Sequence, residues 1–415
     1  MSEKSSPKLS SLKKAELAVN AKRPNDGLLR FEVSSPEAIK KALAVTDLTR
    51  EGSPVHALNI IVDKVVGKLK TAGLGEVRTI RADPIVSVED NFDKLLFSYD
   101  NAGRASTYTR YVDEEHVLRT HTSANVPKTF ADFFNEFKGD IPNTVFVFLG
   151  LVYRRDVIDP KHLDVFHQMD IWTLQKNGDR SPMAKEDLLR LVTSVFKAVV
   201  PDKKPIIYDA VHPYTLGGIE VYADLSKSGD SKDVSQGGAQ LEILEAGLAH
   251  PEVLRGAGFD PDKYSGLASG IGLDRLVMAL KEIPDVRFLR SNEPRIAVQM
   301  KNTEKFKEVS SMPPISRDMS YCIPENYTEE DINEEIKDAF GDMAFLVENV
   351  KIMSRTKYAD LLPVAREKLG ASPEQNNVLV NITLRHPDLT MTKKEANQLY
   401  EKVYPKLNKG SGGYL

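Results

Sequence analysis

Apolar residues along this chain recur in two rhythms: a three-and-four spacing, and short continuous runs. Between residues 34 and 73 the first rhythm holds. "SSPEAIKKALAVTDL" opens on a Ser-Ser-Pro start signal, and "SPVHALNIIVDKVVGKLKTAG" keeps its apolar stripe until Gly73, so both predict helices. "GEVRTIRADPIVSVEDNFDKL" then reads as a strand interrupted by Pro84, because proline cannot donate to a ladder. Short apolar runs follow at "TVFVFLGLVYR", "VFHQMDIWTL", "GGIEVYADL" and "QLEILEAGL", with one amphipathic helix, "KEDLLRLVTSVFKAVV", between them. Strands that succeed one another without a helix after each predict a largely antiparallel sheet. "GIGLDRLVMALKEI" predicts a glycine-rich turn running into a helix.

Beyond residue 305 the pattern changes. "ISRDMSYCIP" (strand), "TEEDINEEIKDAFG" (helix), "FLVENVKIMS" (strand), "NNVLVNITLRH" (strand) and "TKKEANQLYEKVYPKL" (helix) make a second α+β unit of ferredoxin-like order, its last strand expected in the terminal "GSGGYL". The fold class read from the whole is α+β.

Composition sets bounds on this picture. At 415 residues the chain exceeds what one core usually organises, which agrees with two domains. The net charge of −4 gives no bulk signal for nucleic acid, so such a partner would have to be met by local basic patches. Cys322 is the only cysteine, which leaves neither an intramolecular disulfide nor a multi-cysteine metal site and fits a reducing cytosol. No apolar stretch reaches the roughly 18 residues of a membrane helix, so no membrane partner is expected. The first residues, "MSEKSSPKLSSLKKAELAVNAKRP", are basic but lack an apolar h-region and carry Glu3 and Glu16. They read as a solvated arm rather than a secretory signal, with a mitochondrial transit peptide left open.

The chemistry concentrates in "VYRRDVIDPKHLDVFHQMDIW". If 146–155 and 164–174 pair as antiparallel strands, alternation sends Arg154 and Asp156 to one face, with Gln168 or Asp170 according to register. That face would hold a guanidinium, an amide and a carboxylate. A guanidinium is a permanently charged planar fork suited to phosphate or carboxylate oxygens, and Phe166 nearby could stack on a base. "LRTHTSANVP" adds His121, Thr122 and Ser123 before a helical run. In "GLASGIGLDRLVMALKEIPD", Gly270 and Gly272 precede Arg275, a pattern that lets an anion approach the backbone while the arginine faces it.

An apolar strand ending in Arg-x-acid, Phe-His-Gln on the return strand, and a later Gly-x-Gly-x-acid-Arg opening a helix resemble motifs 2 and 3 of class II aminoacyl-tRNA synthetases, and Pro84 suits motif 1. More narrowly, "HTSA", "YRRDVIDPKHLDVFHQ", "DNFDKL", "LEILEAGLAHPEVL" and "GIGLDRLVM" resemble phenylalanyl-tRNA synthetase. "MPPISRDMSYCIP" and the remainder of the chain resemble its ferredoxin-fold anticodon-binding domain, in the single-chain, mitochondrial-type arrangement. Beside the basic arm read over 1–33, the resemblance, which runs from about residue 50 to the end, implies a class II catalytic domain with an antiparallel sheet flanked by helices over 34–300 and an anticodon-binding domain over 305–415.

It also implies a two-step ligase. An amino-acid carboxylate attacks the α-phosphorus of ATP, releasing pyrophosphate, and a tRNA 2′-hydroxyl then takes the aminoacyl group. By resemblance, Arg154 holds the α-phosphate and the amino-acid carboxylate, Arg275 the γ-phosphate, Phe166 the adenine ring and Asp156 its amino group. His162 lies in the loop near the phosphates, Gly270 and Gly272 border the nucleotide, and Glu242 is the candidate for holding Mg²⁺. His121, Ser123, Gln168 and Asp170 match positions that surround the substrate's ammonium and carboxylate. Partners implied are tRNA and an amino acid, with the chain a monomer or homodimer and no separate β subunit.

The amino-acid pocket departs from the family pattern. Where the family has Phe-Pro-Phe-Thr-x-Pro-Ser, this chain reads "HPYTLGG", so His212 and Tyr214 replace the two rings that sandwich a phenyl group. The usual Gly-Cys-Gly is "EAG", which places Glu245 where a small neutral residue is usual; Ser269 replaces an aromatic, and Ala268 keeps a small pocket floor. A carboxylate there suits a more polar amino acid, while phenylalanine remains the default. Two other readings stay open: a paralogue that passes its amino acid to a small molecule or carrier protein, and a catalytically silent RNA-binding protein. For tRNA the tail offers Lys351, Arg355, Lys357, Arg385, Lys393 and Lys394.

Overall fold

The computed structural model describes residues 32–412 apart from 138–140, 158, 179, 226–239, 310–312, 387 and 388. The arm read over 1–33 thus lies outside the described residues, save Glu32 and Val33. In chain order the strands are β1 (Glu76–Ile80), β2 (Ile85–Ser87), β3 (His116–Leu118), β4 (Thr144–Tyr153), β5 (Val165–Lys176), β6 (Pro205–Asp209), β7 (Thr215–Asp224), β8 (Gln240–Ala249), β9 (Tyr264–Ser265), β10 (Leu267–Gly272), β11 (Ile315–Pro324), β12 (Val347–Lys357) and β13 (Gln375–Leu384). The large sheet runs β1-β4-β5-β10-β8-β7-β6, with β9 on β5. Its pairs are antiparallel except β1 with β4, as the succession of strands without intervening helices requires.

Helices form where the three-and-four spacing predicts them. Ser35 caps Pro36–Leu43 by accepting the Ala38 N–H at 3.2 Å, and Pro36 occupies the first turn, where its missing donor costs nothing. Lys185–Val199 buries Leu188, Leu191, Val192, Val195, Phe196 and Val199, one continuous stripe. That stripe, with those of Ala57–Lys70 and Leu273–Lys281, covers one sheet face through Val145, Val147, Leu149, Met169 and Ile171. Burying each such side chain contributes roughly 1.5–3 kcal/mol. On the opposite face, Phe146, Phe148 and Trp172 pack under Phe130 and Phe133 of the helix Val126–Phe137. This helix covers only one end of that face, and the uncovered end becomes a pocket.

Two details differ from the sequence expectation. The glycine-rich segment before Leu273 is no turn: Gly270 and Gly272 belong to β10, hydrogen-bonded between β5 and β8. Its small residues gave no apolar rhythm to read. Strand β6, at the sheet edge with Pro205 as its first residue, was equally silent.

The tail forms a second sheet, β11-β13-β12, with the helices Glu329–Phe340 and Lys393–Leu407 buried against its core. The order follows ferredoxin-like βαββα up to the fourth strand. The expected strand in "GSGGYL" is not formed by its described residues, 410–412. Lys409 N–H donates to the Cys322 carbonyl at 2.7 Å, so the chain returns to the edge of β11, but Ser411 and Gly412 then bond Gly370 and Leu369 instead. Phe306 and Val309 pack against the first core, so the division between the cores falls after them and not at residue 305. The tail touches the first unit beside its pocket: Lys337 Nζ donates to the Asp156 carbonyl at 3.0 Å, and Glu334 lies 3.7 Å from Arg110 and 4.0 Å from Arg155.

Candidate active site

Strand register decides which side chains meet. In the β4–β5 hairpin Tyr153 pairs with Val165, Val152 with Phe166, Gly150 with Gln168 and Phe148 with Asp170. Phe166, Gln168 and Asp170 therefore share one face, and Arg154 continues it at the hairpin end, where its N–H bonds the Asp164 carbonyl at 2.8 Å. On β10 the partners of Asp170 and Gln168 are Gly270 and Gly272. A Cβ on Gly270 would lie 3.3 Å from both Asp170 Oδ1 and Gln168 Nε2, so glycine keeps this floor open.

Strand β8 contributes through a bulge. Val221 pairs with Leu244 but Tyr222 pairs with Glu242, leaving Ile243 as an extra residue. Glu242 and Glu245 are three apart, and strict alternation would put them on opposite faces; the inserted residue brings both to the pocket. The cavity that results, about 190 Å³, is lined by Arg154, Asp156, Lys161, His162, Phe166, Gln168, Glu242, Glu245, Gly270, Gly272, Asp274 and Arg275.

Within it, the Arg154 guanidinium stands 5.1 Å from the Phe166 ring centre and 5.7 Å from that of Tyr108, while its Nε donates to the Thr120 carbonyl at 2.8 Å. Burial opposes its charge, yet Tyr108, Glu245, Asp156 and Glu242 together hold its pKa above the ordinary value. Arg275, on the first turn of Leu273–Lys281, pairs with Glu242 Oε2 at 3.2 Å and reaches the Lys161 carbonyl at 3.4 Å. His162 bonds Asp159 at 2.7 Å. Burial raises the Asp159 pKa, but the bond to His162 and its backbone donors outweigh that and hold it below the usual range.

Next to the cavity, Asp170 Oδ1 accepts from Thr122 at 2.8 Å and from Gln168 at 2.7 Å. Burial pushes its pKa up to about 6, with those donors opposing the rise. His121 is held at about 3 by burial and by the nearby Arg154 cation, so it is neutral; its Nδ1 pairs with Ser123 Oγ at 2.8 Å. Tyr214 donates its hydroxyl to Glu245 Oε1 at 2.6 Å, and His212 Nε2 lies 3.4 Å from Glu245 Oε2.

Not every expected residue joins this group. Ser269 pairs with Ile171 and Ala246, which face the helix-covered core, so its side chain lies on the far side of the sheet from the pocket. Ala268 is on the pocket face but sealed in the cluster of Trp172 and Tyr214. Residues passed over in the sequence are Thr120, Tyr108 and Lys161, which meet the two arginines through backbone carbonyls or a ring. Carbonyl contacts leave no side-chain signal.

The tail cations do not converge. Lys351 pairs with Asn381 on the open face of the tail sheet, whereas a register shift after Ile352 turns Arg355 and Lys357 towards the face of Val378 and Asn376. Arg355 donates to the Tyr327 carbonyl at 2.8 Å, and Arg385 is tied to Glu348 at 2.5 Å. Lys393 and Lys394 sit exposed at the start of the last helix, an end that disfavours cations.

The comparison with known proteins covers this same region. Residues 43–300 match the family model for the tRNA synthetases class II core domain (F). The chain is 30% identical over 336 residues to the chloroplastic/mitochondrial phenylalanine–tRNA ligase of Arabidopsis thaliana, covering 79% of this chain and 70% of that one. It is 28% identical over 434 residues to the mitochondrial phenylalanine–tRNA ligase of Saccharomyces cerevisiae, covering 88% and 89%. Against the phenylalanine–tRNA ligase alpha subunit of Bacillus subtilis the identity is 31% over 274 residues, covering 64% and 76%. The antiparallel sheet, the two arginines lining one cavity and the family match over 43–300 lead to one conclusion: this chain belongs to the class II tRNA synthetases, core type F, and is an aminoacyl-tRNA ligase.

Proposed function

We propose that the chain activates an α-amino acid with ATP as an aminoacyl-adenylate and then esterifies it to the terminal hydroxyl of tRNA. The observation that carries this reading is that Arg154 and Arg275, 121 residues apart, line one cavity together with the Phe166 ring. Both substrates of the first step are anions, so alignment and neutralisation are what the protein must supply. A carboxylate oxygen of the amino acid bonds to the α-phosphorus, the α–β phosphoanhydride bond breaks, and pyrophosphate leaves. Arg154 stabilises charge on the α-phosphate, Arg275 steadies the leaving end, and Phe166 stacks the base. In the second step the tRNA hydroxyl attacks the carbonyl carbon and AMP departs.

Among the described residues no group of three or more His, Cys, Asp or Glu could hold a metal by itself. Mg²⁺ is bound by one or two carboxylates plus substrate phosphates, and Glu242, at the cavity wall beside Arg275, would hold it. When bound, the ion offsets phosphate charge. Asp170 and Gln168 hold the substrate ammonium, and tRNA is met by the tail, where Lys351 stands exposed on the open face of the sheet.

Phenylalanine, the amino acid in the relatives' names, is the reference substrate. A more polar amino acid is the second reading, favoured by Glu245 at the inner wall. On the relatives' names, an organellar matrix is a location to test beside the cytoplasm. ATP–pyrophosphate exchange with each amino acid, followed by charging of total tRNA, tests the function. Exchange followed by charging is expected; exchange without charging would move the acceptor to a small molecule or carrier protein, and silence with every amino acid would overturn the reading.

A further inference from the structure

The cavity ends at Glu245. Beyond it the pocket face is filled by the protein's own Tyr214 ring, stacked 6.0 Å from Trp172 and 6.5 Å from His121 between ring centres. Glu245 holds this ring in place, one oxygen accepting the Tyr214 hydroxyl at 2.6 Å and the other 3.4 Å from His212 Nε2. Its side chain is 34% exposed, and that exposed part forms the inner wall of the cavity. A carboxylate has about four acceptor directions, and here tyrosine takes one while the imidazole stands at long range. Gln168 Oε1, which has no hydrogen-bond partner among the described residues, is the acceptor left for the substrate ammonium, so Glu245 is the group that faces the side chain.

The inner wall of the cavity therefore presents a carboxylate with acceptor directions to spare. A bare phenyl ring placed there would strip water from a carboxylate and return no hydrogen bond. A side chain with an O–H or N–H group would complete the set. We propose that Glu245, anchored by the Tyr214 hydroxyl, makes this enzyme select an amino acid whose side chain carries a hydrogen-bond donor, in preference to phenylalanine. The inference rests on the proposed function and deepens it, since it names the substrate class of the same site.

The test uses the full chain in ATP–pyrophosphate exchange with the twenty standard amino acids, so that hydroxyl, amide and ammonium side chains are separated. It is repeated with Glu245→Gly and with the nearly isosteric Glu245→Gln, which keeps the fold if the glycine variant does not. Sites built on a substrate hydrogen bond reject analogues lacking it by large factors, so kcat/KM for one donor-bearing amino acid should exceed that for phenylalanine by roughly a hundredfold or more. Glu245→Gly should shrink that ratio to about tenfold or less, and Glu245→Gln should lie between. Phenylalanine as the best substrate of the unmodified chain, or a preference indifferent to both substitutions, would overturn the inference and leave the ligase reading intact. Thermal shift with the sulfamoyl-adenosine analogues of phenylalanine and of polar amino acids separates the two further. Stabilisation by a donor-bearing analogue alone, without exchange, would support the pocket assignment while sinking the ligase reading; a shift with neither would sink both.

Discussion

Asp274 accepts two hydrogen bonds from His167, one from the backbone N–H at 2.6 Å and one from ring Nδ1 at 3.2 Å. His167 sits between Phe166 and Gln168 on β5, and Asp274 immediately precedes Arg275. The ring's other nitrogen lies 3.0 Å from the Leu48 N–H, so both ring nitrogens are engaged. Burial opposes the Asp274 charge, but His167 outweighs it and holds that carboxyl below the usual range. The strand that presents the Phe166 ring is thereby tied to the helix that presents Arg275.

Asp274→Ala should lower the free energy of unfolding by about 3 kcal/mol, because it leaves a buried ring N–H and a backbone N–H unpaired. Urea denaturation measures this. The same variant should lose exchange kcat more than it raises KM for the amino acid, since Arg275 loses its anchor.

Arg154→Lys keeps the charge and loses the planar fork between the Tyr108 and Phe166 rings, along with the Nε donor to Thr120. A drop of about a hundredfold in exchange kcat is expected with the fold preserved, because lysine cannot reproduce a bidentate contact to a developing oxyanion. A variant within tenfold of the parent would remove Arg154 from the chemistry.

Gly270→Ala puts a methyl group 3.3 Å from Asp170 Oδ1 and Gln168 Nε2, tighter than ordinary contact. KM for the amino acid should rise about tenfold while KM for ATP stays close to the parent value, because the new methyl group presses on Asp170 and Gln168 and not on Arg154 or Arg275. Parallel saturation curves for the two substrates decide it.

Acid should act on binding and stability in different ways. Asp170 titrates at about 6, so KM for the amino acid should climb as pH falls below that value and the ammonium loses its carboxylate partner. His121 and His56 are depressed from 6.5 to about 3 and about 4, in each case mainly by burial. Their depressed values mean that the folded state binds fewer protons, so the stability they contribute is full above pH 6.5 and drains away as pH falls towards 4. Asp170, raised by burial, has the opposite sign between pH 3.8 and about 6 and offsets part of the loss. Urea unfolding at pH 7.5 and pH 5 should show lower stability at pH 5; equal midpoints would contradict the buried, neutral state of the two histidines.

The helix Lys185–Val199 and the strands β4, β5, β7 and β8 were legible in the sequence, because their apolar period is a local property of consecutive residues. So were the residue types of the site, Arg154, Phe166, Gln168 and Arg275, in the order in which they occur. Tertiary pairing decided the rest. Strand β10 has too little apolar pattern to be seen and exists because β5 and β8 supply hydrogen bonds on both sides. The extra residue at Ile243 turns Glu242 and Glu245 to one face, the β10 register turns Ser269 away from it, and the Tyr214 ring fills the slot that Glu245 closes. None of these follows from periodicity, since a bulge or a one-residue change of register reverses which side of a strand is wet, and register is settled between segments far apart in the chain.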